Sequence, residues 1–90
     1  MNERREPYLG EGQTPVLSLK SLAKHFGLPQ ISAKAEYLNP TGSYKDRIVA
    51  ATVKDAIRQA NRGWIGTSSG NGGAAMSAYG SRAGLPGFLC

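Results

Sequence analysis

"WIGTSSGNGGAAMSAYGSRAGLPGFLC", residues 64–90, decides the fold, because it reads as strand, glycine-rich loop, helix and strand in that order. "WIGTS" (64–68) is short and carries β-formers, and "SGNGG" breaks it. "AAMSAYGSRAG" (74–84) predicts a helix rich in small residues despite Gly80, ended by Gly84 and Pro86. "GFLC" (87–90) looks like the opening of another strand, expected to be buried. A strand that returns in the same sense after a helix is the unit of a parallel sheet, and such sheets carry helices on both faces.

Upstream the alternation continues. Residues 44–61 predict the clearest helix, with Val49, Val53, Ala56, Ile57 and Ala60 on one apolar face. Ser43 is its expected N-cap, Asp46 the partner in a capping-box-like pair, and Gly63 the stop. Leu19, Leu22, Ala23 and Phe26 recur at helical spacing before Gly27. Ile31, Ala33, Ala35 and Tyr37 alternate with polar residues and predict a strand near 31–37. Residues 1–15 are a polar lead-in with turns at Gly10, Gly12 and Pro15, and residues 16–90 alternate helices and strands. The expectation is an α/β protein with a parallel, three-layer αβα sheet. The chain stops as a strand opens, so we expect the N-terminal portion of a larger domain.

Ninety residues with 40% apolar and 19% charged content are ordinary for a globular chain. The net charge of +5 comes from 11 Lys and Arg scattered from Arg4 to Arg82, with no run longer than Arg4-Arg5. No nucleic-acid partner is expected from that pattern. Cys90 is the single cysteine, so no internal disulfide can form, and no Cys/His/Asp spacing points to a metal. No stretch resembles a signal peptide or a membrane span, and the expected compartment is the cytoplasm.

Two constellations carry chemistry. In "NPTGSYKDR" (39–47) Lys45 falls at the second helical position if Ser43 is the cap. The helix dipole disfavours a cation there by about 0.3–1 kcal/mol. It therefore favours the neutral amine, the form that attacks a carbonyl. A solvated lysine screened by Asp46 is the ordinary alternative. "TSSGNGG" (67–73) lies between a strand and a helix, where Ser68, Ser69, Gly70, Asn71 and Gly72 suit a carboxylate or phosphate. A plain strand-to-helix turn reads the same way. Gly70, Gly72 and Ala75 also match G-x-G-x-x-A, a loose dinucleotide fingerprint. The polar residues before Gly70 count against it, and the acidic residue expected about 20 positions on would lie beyond Cys90. Trp64 is expected at the sheet edge, His25 at the surface, and neither Tyr8 nor Tyr79 has an arguable role.

Together these stretches resemble the fold type II pyridoxal-phosphate enzymes, and among them the threonine synthase family most closely. "GEGQTPV" (10–16), "KAEYLNPTGSYKDR" (34–47) and "TSSGNGGAAMSAYGSRAGLP" (67–86) are similar to that family's motifs, in its order and at its spacing. Gly72 stands where the family commonly has Thr, and Tyr44 where it has Phe. The resemblance implies pyridoxal 5'-phosphate as cofactor and Lys45 as the residue that forms a Schiff base with it and then shuttles protons at the substrate α-carbon. It implies that Asn71 binds the cofactor ring hydroxyl, and that Ser68, Ser69 and Gly70 hold the carboxylate of a small amino-acid substrate, with Asn71 and Gly72 beside them. Asp46 and Arg47 are expected to fix the helix start, and the family's habit is to form homodimers. Its phosphate loop and pyridine-nitrogen partner lie further along, so these ninety residues alone are expected to bind cofactor weakly and turn over little. The dehydratases of threonine and serine, cysteine synthase and diaminopropionate ammonia-lyase share the same residues. A non-catalytic remnant and a nucleotide-binding half remain open.

Overall fold

The computed structural model describes residues 4–67 and 70–90. In chain order they form β1 (Val16–Ser18), α1 (Lys20–Phe26), β2 (Ser32–Lys34), a 3-10 turn (Glu36–Leu38), α2 (Lys45–Arg58), β3 (Trp64–Gly66), α3 (Asn71–Ala83) and β4 (Gly87–Leu89). β3 and β4 pair in parallel, with Trp64, Ile65 and Gly66 opposite Gly87, Phe88 and Leu89. The parallel crossover unit expected over residues 64–90 is therefore present. β1 and β2 instead form a separate antiparallel pair, Val16 opposite Lys34 and Ser18 opposite Ser32.

The core lies between α2 and α3. Val49, Ala50 and Val53 pack against Ala75, Tyr79, Ala83 and Leu85, with Ala56, Ile57 and Trp64 at the margin. Ala75, Tyr79 and Ala83 follow one another at intervals of four along α3, so they share a face, and each is fully buried. Gly80 lies beside that stripe because Trp64 needs the space: a Cβ there would stand 2.8 Å from the indole Nε1. At Gly87 a Cβ would overlap the indole ring outright, at 1.9 Å. Trp64 thus stands on an edge strand of this two-stranded sheet, as expected, and its ring packs against Gly80 of α3 and Gly87 of β4.

Several expected boundaries move, each for a local reason. The strand predicted over 31–37 ends at Lys34, because residues 36–38 coil into the 3-10 turn and leave Tyr37 exposed. β1 was not expected; its three residues sit in a run that reads equally as the start of a helix. α1 ends at Gly27 as predicted, in the left-handed region at φ 66°. Of its apolar stripe Ala23 is buried, while Leu22 and Phe26 are exposed. α3 starts three residues earlier than predicted, at Asn71, and ends as predicted at Gly84 (φ 76°).

Gly63 does not end α2. The helix stops at Arg58, and Ala60 turns the chain at φ 58°. The Asn61 N–H donates to the Ala56 carbonyl (2.9 Å) and the Ala60 N–H to Ile57 (3.0 Å), closing the last turn without glycine. Gly63 serves a close approach instead, since a Cβ would lie 2.5 Å from the Pro86 carbonyl oxygen. The strand expected to be buried, β4, is exposed throughout. Ile65 and Phe88 sit opposite each other on the sheet face turned away from Trp64, and are 78% and 76% exposed. Among the described residues, helices cover one face of the β3–β4 pair.

The radius of gyration is 16.7 Å, with extents of 57 × 24 × 18 Å. A compact chain of this length would have about 12 Å. The β1–α1–β2 portion extends away from the helical core. No described helix is long and apolar enough to cross a membrane.

The left-handed alanine yields a direct test. Ala60→Gly relieves the steric cost of φ 58° and is expected to raise stability by about 0.5–1 kcal/mol. A higher denaturant midpoint at unchanged m-value would record it.

Candidate functional site

The turn before α2 is built by its side chains. Asn39, Pro40, Thr41 and Gly42 form a tight turn closed by the Gly42 N–H on the Asn39 carbonyl (2.8 Å), with Gly42 at φ 89°. Asn39 is buried and uses both ends of its amide. Its Nδ2 donates to the Ser43 carbonyl (3.0 Å) and to Glu36 Oε2 (2.9 Å), and its Oδ1 accepts the Gly12 N–H (3.0 Å). Tyr44 occupies the cap position with helical dihedrals, and α2 begins at Lys45, one residue later than a Ser43 cap implies, which makes Lys45 the first helical residue rather than the second. The Ser43 hydroxyl still serves the helix start, accepting the Lys45 N–H at 3.1 Å. Lys45 is half-buried, and its Nζ stands 5.4 Å from the centre of the Tyr44 ring, within cation–π reach.

Asp46 is fully buried. Its carboxylate accepts the Thr41 N–H (2.9 Å), the Thr41 hydroxyl (2.5 Å) and the Tyr79 hydroxyl (2.8 Å). Burial raises its pKa, but donation from Thr41, Tyr79 and the Ser43 backbone outweighs that, and the net shift is downward. Burial, and then the Asp46 carboxylate, push the Tyr79 phenol well above its usual range.

Arg47 points elsewhere. It grips Glu36 through Nε (2.7 Å) and Nη2 (2.9 Å), and Nη2 also reaches the Gly12 carbonyl (3.0 Å) and Thr14 Oγ1 (3.3 Å). Gly12 sits at φ 93°, where a Cβ would stand 3.3 Å from the guanidinium. Thr14 donates its hydroxyl to Glu36 (2.6 Å). Hydrogen bonds from Arg47, then from Thr14 and Asn39, lower the Glu36 pKa from 4.5 to about 2. The "GEGQT" and "KDR" segments are therefore one hydrogen-bonded unit.

α3 begins at Asn71, with Gly70 in the cap position and the Ala74 N–H on the Gly70 carbonyl (3.0 Å). Asn71 is exposed and Gly72 half-buried, both in the first turn, at the positive end of the dipole. Ser68 and Ser69 lie outside the described residues. Lys45 and Asn71 thus each open one of two helices that share a core. An accessible amine, an exposed amide and glycines at a helix N-terminus fit an aldehyde-bearing anionic cofactor and a carboxylate substrate. Sequence reasoning missed Tyr79, Thr41, Asn39 and Glu36. The signal for Tyr79 was its place in the Ala75–Tyr79–Ala83 stripe, where a buried phenol demands a partner.

Comparison with known proteins places the chain among relatives of one family. Residues 8–90 match the family described as pyridoxal-phosphate dependent enzyme. Threonine synthase from Halalkalibacterium halodurans is 47% identical over 77 residues, covering 86% of this chain and 22% of the relative. Threonine synthase from Methanosarcina acetivorans is 37% identical over 84 residues, covering 93% and 21%. Among solved structures, the O-acetylserine dependent cystathionine beta-synthase from Helicobacter pylori superposes with a TM-score of 0.71 at 28% identity, covering 87% of this chain and 27% of that one. The chain thus spans about a fifth of the length of the curated relatives it matches.

The clamp at Glu36 predicts a pH dependence. Its folded pKa lies below 4.5, so its contribution to stability is present above that pH and is lost as pH falls toward 2. Glu36→Gln is expected to flatten the fall in melting temperature across that window. Some fall remains, because the Asp46 pKa is lowered too.

Proposed function

The chain belongs to the family of pyridoxal-phosphate dependent enzymes, and from that premise we propose that it supplies the amine and the substrate-facing helix of a lyase acting on amino acids. Pyridoxal phosphate, the family's cofactor, when bound withdraws electrons from the substrate α-carbon and acidifies the proton there. Lys45 holds the cofactor through Nζ and, once freed, moves the proton at the α-carbon. Asn71 hydrogen-bonds the ring hydroxyl. Ser68, Ser69, Gly70 and Gly72 take the substrate carboxylate with Asn71, where the α3 dipole favours an anion. Thr41, Asp46 and Arg47 hold the start of α2 rather than touch substrate. The observation that supports this reading is the placement of Lys45 and Asn71 at the first turns of two helices packed through one core.

The finer reading is the threonine synthase reaction, O-phospho-L-homoserine and water giving L-threonine and phosphate. Identity of 47% and 37% to proteins of that name, and the "GEGQTP" motif locked onto Arg47, support it. The likeness to a cystathionine beta-synthase supports a second reading, replacement at the substrate β-carbon.

The protein encoded by the full reading frame around this segment provides the test. We expect phosphate release from O-phosphohomoserine and none of comparable rate from O-acetylserine or threonine as acetate or ammonia. Lys45→Ala should lower turnover by roughly 10²–10⁴-fold or more. Borohydride reduction and digestion should leave the pyridoxyl tag on the peptide containing Lys45. A tag on any other peptide overturns the assignment.

A further inference from the structure

Tyr79 does no chemistry in the reading above, yet it is the largest fully buried side chain described, and its hydroxyl is committed to Asp46 at 2.8 Å. It also stands on the helix that opens with Asn71. We infer that Tyr79 is a positioning residue, whose hydrogen bond to Asp46 sets where the Lys45 amine stands relative to the Asn71 end of α3. The inference rests on Lys45 being the cofactor-bearing residue.

The geometry is that of a strut. Asp46 follows Lys45 directly in the first turn of α2, so fixing its carboxylate fixes the turn that carries the amine. Two of its donors, the Thr41 N–H and hydroxyl, belong to the preceding turn and hold that turn to itself. The third donor, the Tyr79 phenol, comes from α3. Tyr79 lies eight residues after Asn71, about 12 Å along the helix axis, so α3 is a rigid arm from the strut to the amide. The core packing around it is apolar, with Val49, Ala50 and Val53 of α2 against Ala75 and Ala83 of α3. Such contacts are non-directional and tolerate sliding, whereas a hydrogen bond to a carboxylate does not. Glu11, from the "GEGQTP" segment, also lies within electrostatic reach of the phenol.

The test uses the full-length enzyme and four variants: Tyr79→Phe, which keeps the ring, Asp46→Asn, their double mutant, and Val53→Ala as a control for stability alone. Cofactor affinity is measured by titrating the cofactor-free protein with pyridoxal phosphate, and kcat and KM are measured separately. Tyr79→Phe is expected to weaken cofactor binding and to lower kcat by roughly ten- to a hundredfold with KM little changed. The double mutant should be no worse than the worse single, because both remove one interaction. Val53→Ala should lower the melting temperature at least as far while leaving cofactor affinity near wild type. Unchanged affinity in Tyr79→Phe, additive effects in the double mutant, or an equal loss in Val53→Ala would overturn the inference. Borohydride mapping separates the two failures. A tag on Lys45 with an unaffected Tyr79→Phe sinks the positioning role alone, and a tag elsewhere sinks the reading on which it rests.

Discussion

A carboxylate with no solvent exposure sits at the centre of this structure. Asp46 would be costly to bury as an anion unless its lone pairs met donors. Thr41 supplies two, and Tyr79 brings a third from another helix. Once that requirement is stated, much of "NPTGSYKD" follows. Gly42 takes the left-handed angle that lets Thr41 fold back toward Asp46, and Ser43 receives the Lys45 N–H. Asn39 closes the turn from outside by bonding Ser43, Glu36 and Gly12. Asn39 and Ser43 are buried with Asp46, and this polar turn holds an ionised group at a helix start.

Three consecutive residues then point three ways. Successive side chains on an α-helix diverge by about 100°, so Lys45, Asp46 and Arg47 cannot share a neighbourhood. Asp46 goes into the core, and Arg47 goes to Glu36 and the Gly12 carbonyl. Lys45 is left half-buried beside the Tyr44 ring. Two charged anchors on either side of the helix fix its roll, and the roll fixes the lysine. The Arg47–Glu36 pair is partly exposed and contributes modestly as an ion pair. Its value lies in joining the β1–α1–β2 portion to α2 through a bidentate, directional contact.

Local signals were legible wherever one residue type has one physical use. Gly27 and Gly84 end helices in the left-handed region, as their sequence context predicts. The strand–helix–strand order over residues 64–90 was readable, as was the apolar face of α2 through Val49 and Val53. The helix end at Arg58 and the turn at Ala60 were not, since an alanine in the left-handed region carries no sequence mark and Gly63 offered a better-looking stop. The exposure of β4 was also hidden: apolar sequence predicts burial, while burial depends on what lies over the strand. Lys45 at a helix start and the glycine-rich loop holding Asn71 were visible in the residues, while the roles assigned to them are what the motif resemblance implies. The buried hydrogen bonds of Asp46 could not be read, because their partners stand 5 and 33 residues away.

The small residues of α3 explain how such a bond can exist at all. A phenol reaches a carboxylate on a neighbouring helix at 2.8 Å only if the two backbones come close. Ala75 and Ala83, one turn to either side of Tyr79, present methyl groups alone to α2, and Ala50 answers from the other side. Larger residues at those positions would hold the helices apart and leave Asp46 short of a donor in the core, at a cost of about 1–3 kcal/mol or more for a charged group. On the flank of the same helix Gly80 admits the Trp64 indole, and Gly87 on β4 admits its other side. The run "AAMSAYGSRAG", which in sequence reads as a weak helix with a flaw in it, is thus shaped around two rings. One is the tyrosine that ties α3 to the lysine-bearing turn, and the other is the tryptophan that ties it to the sheet.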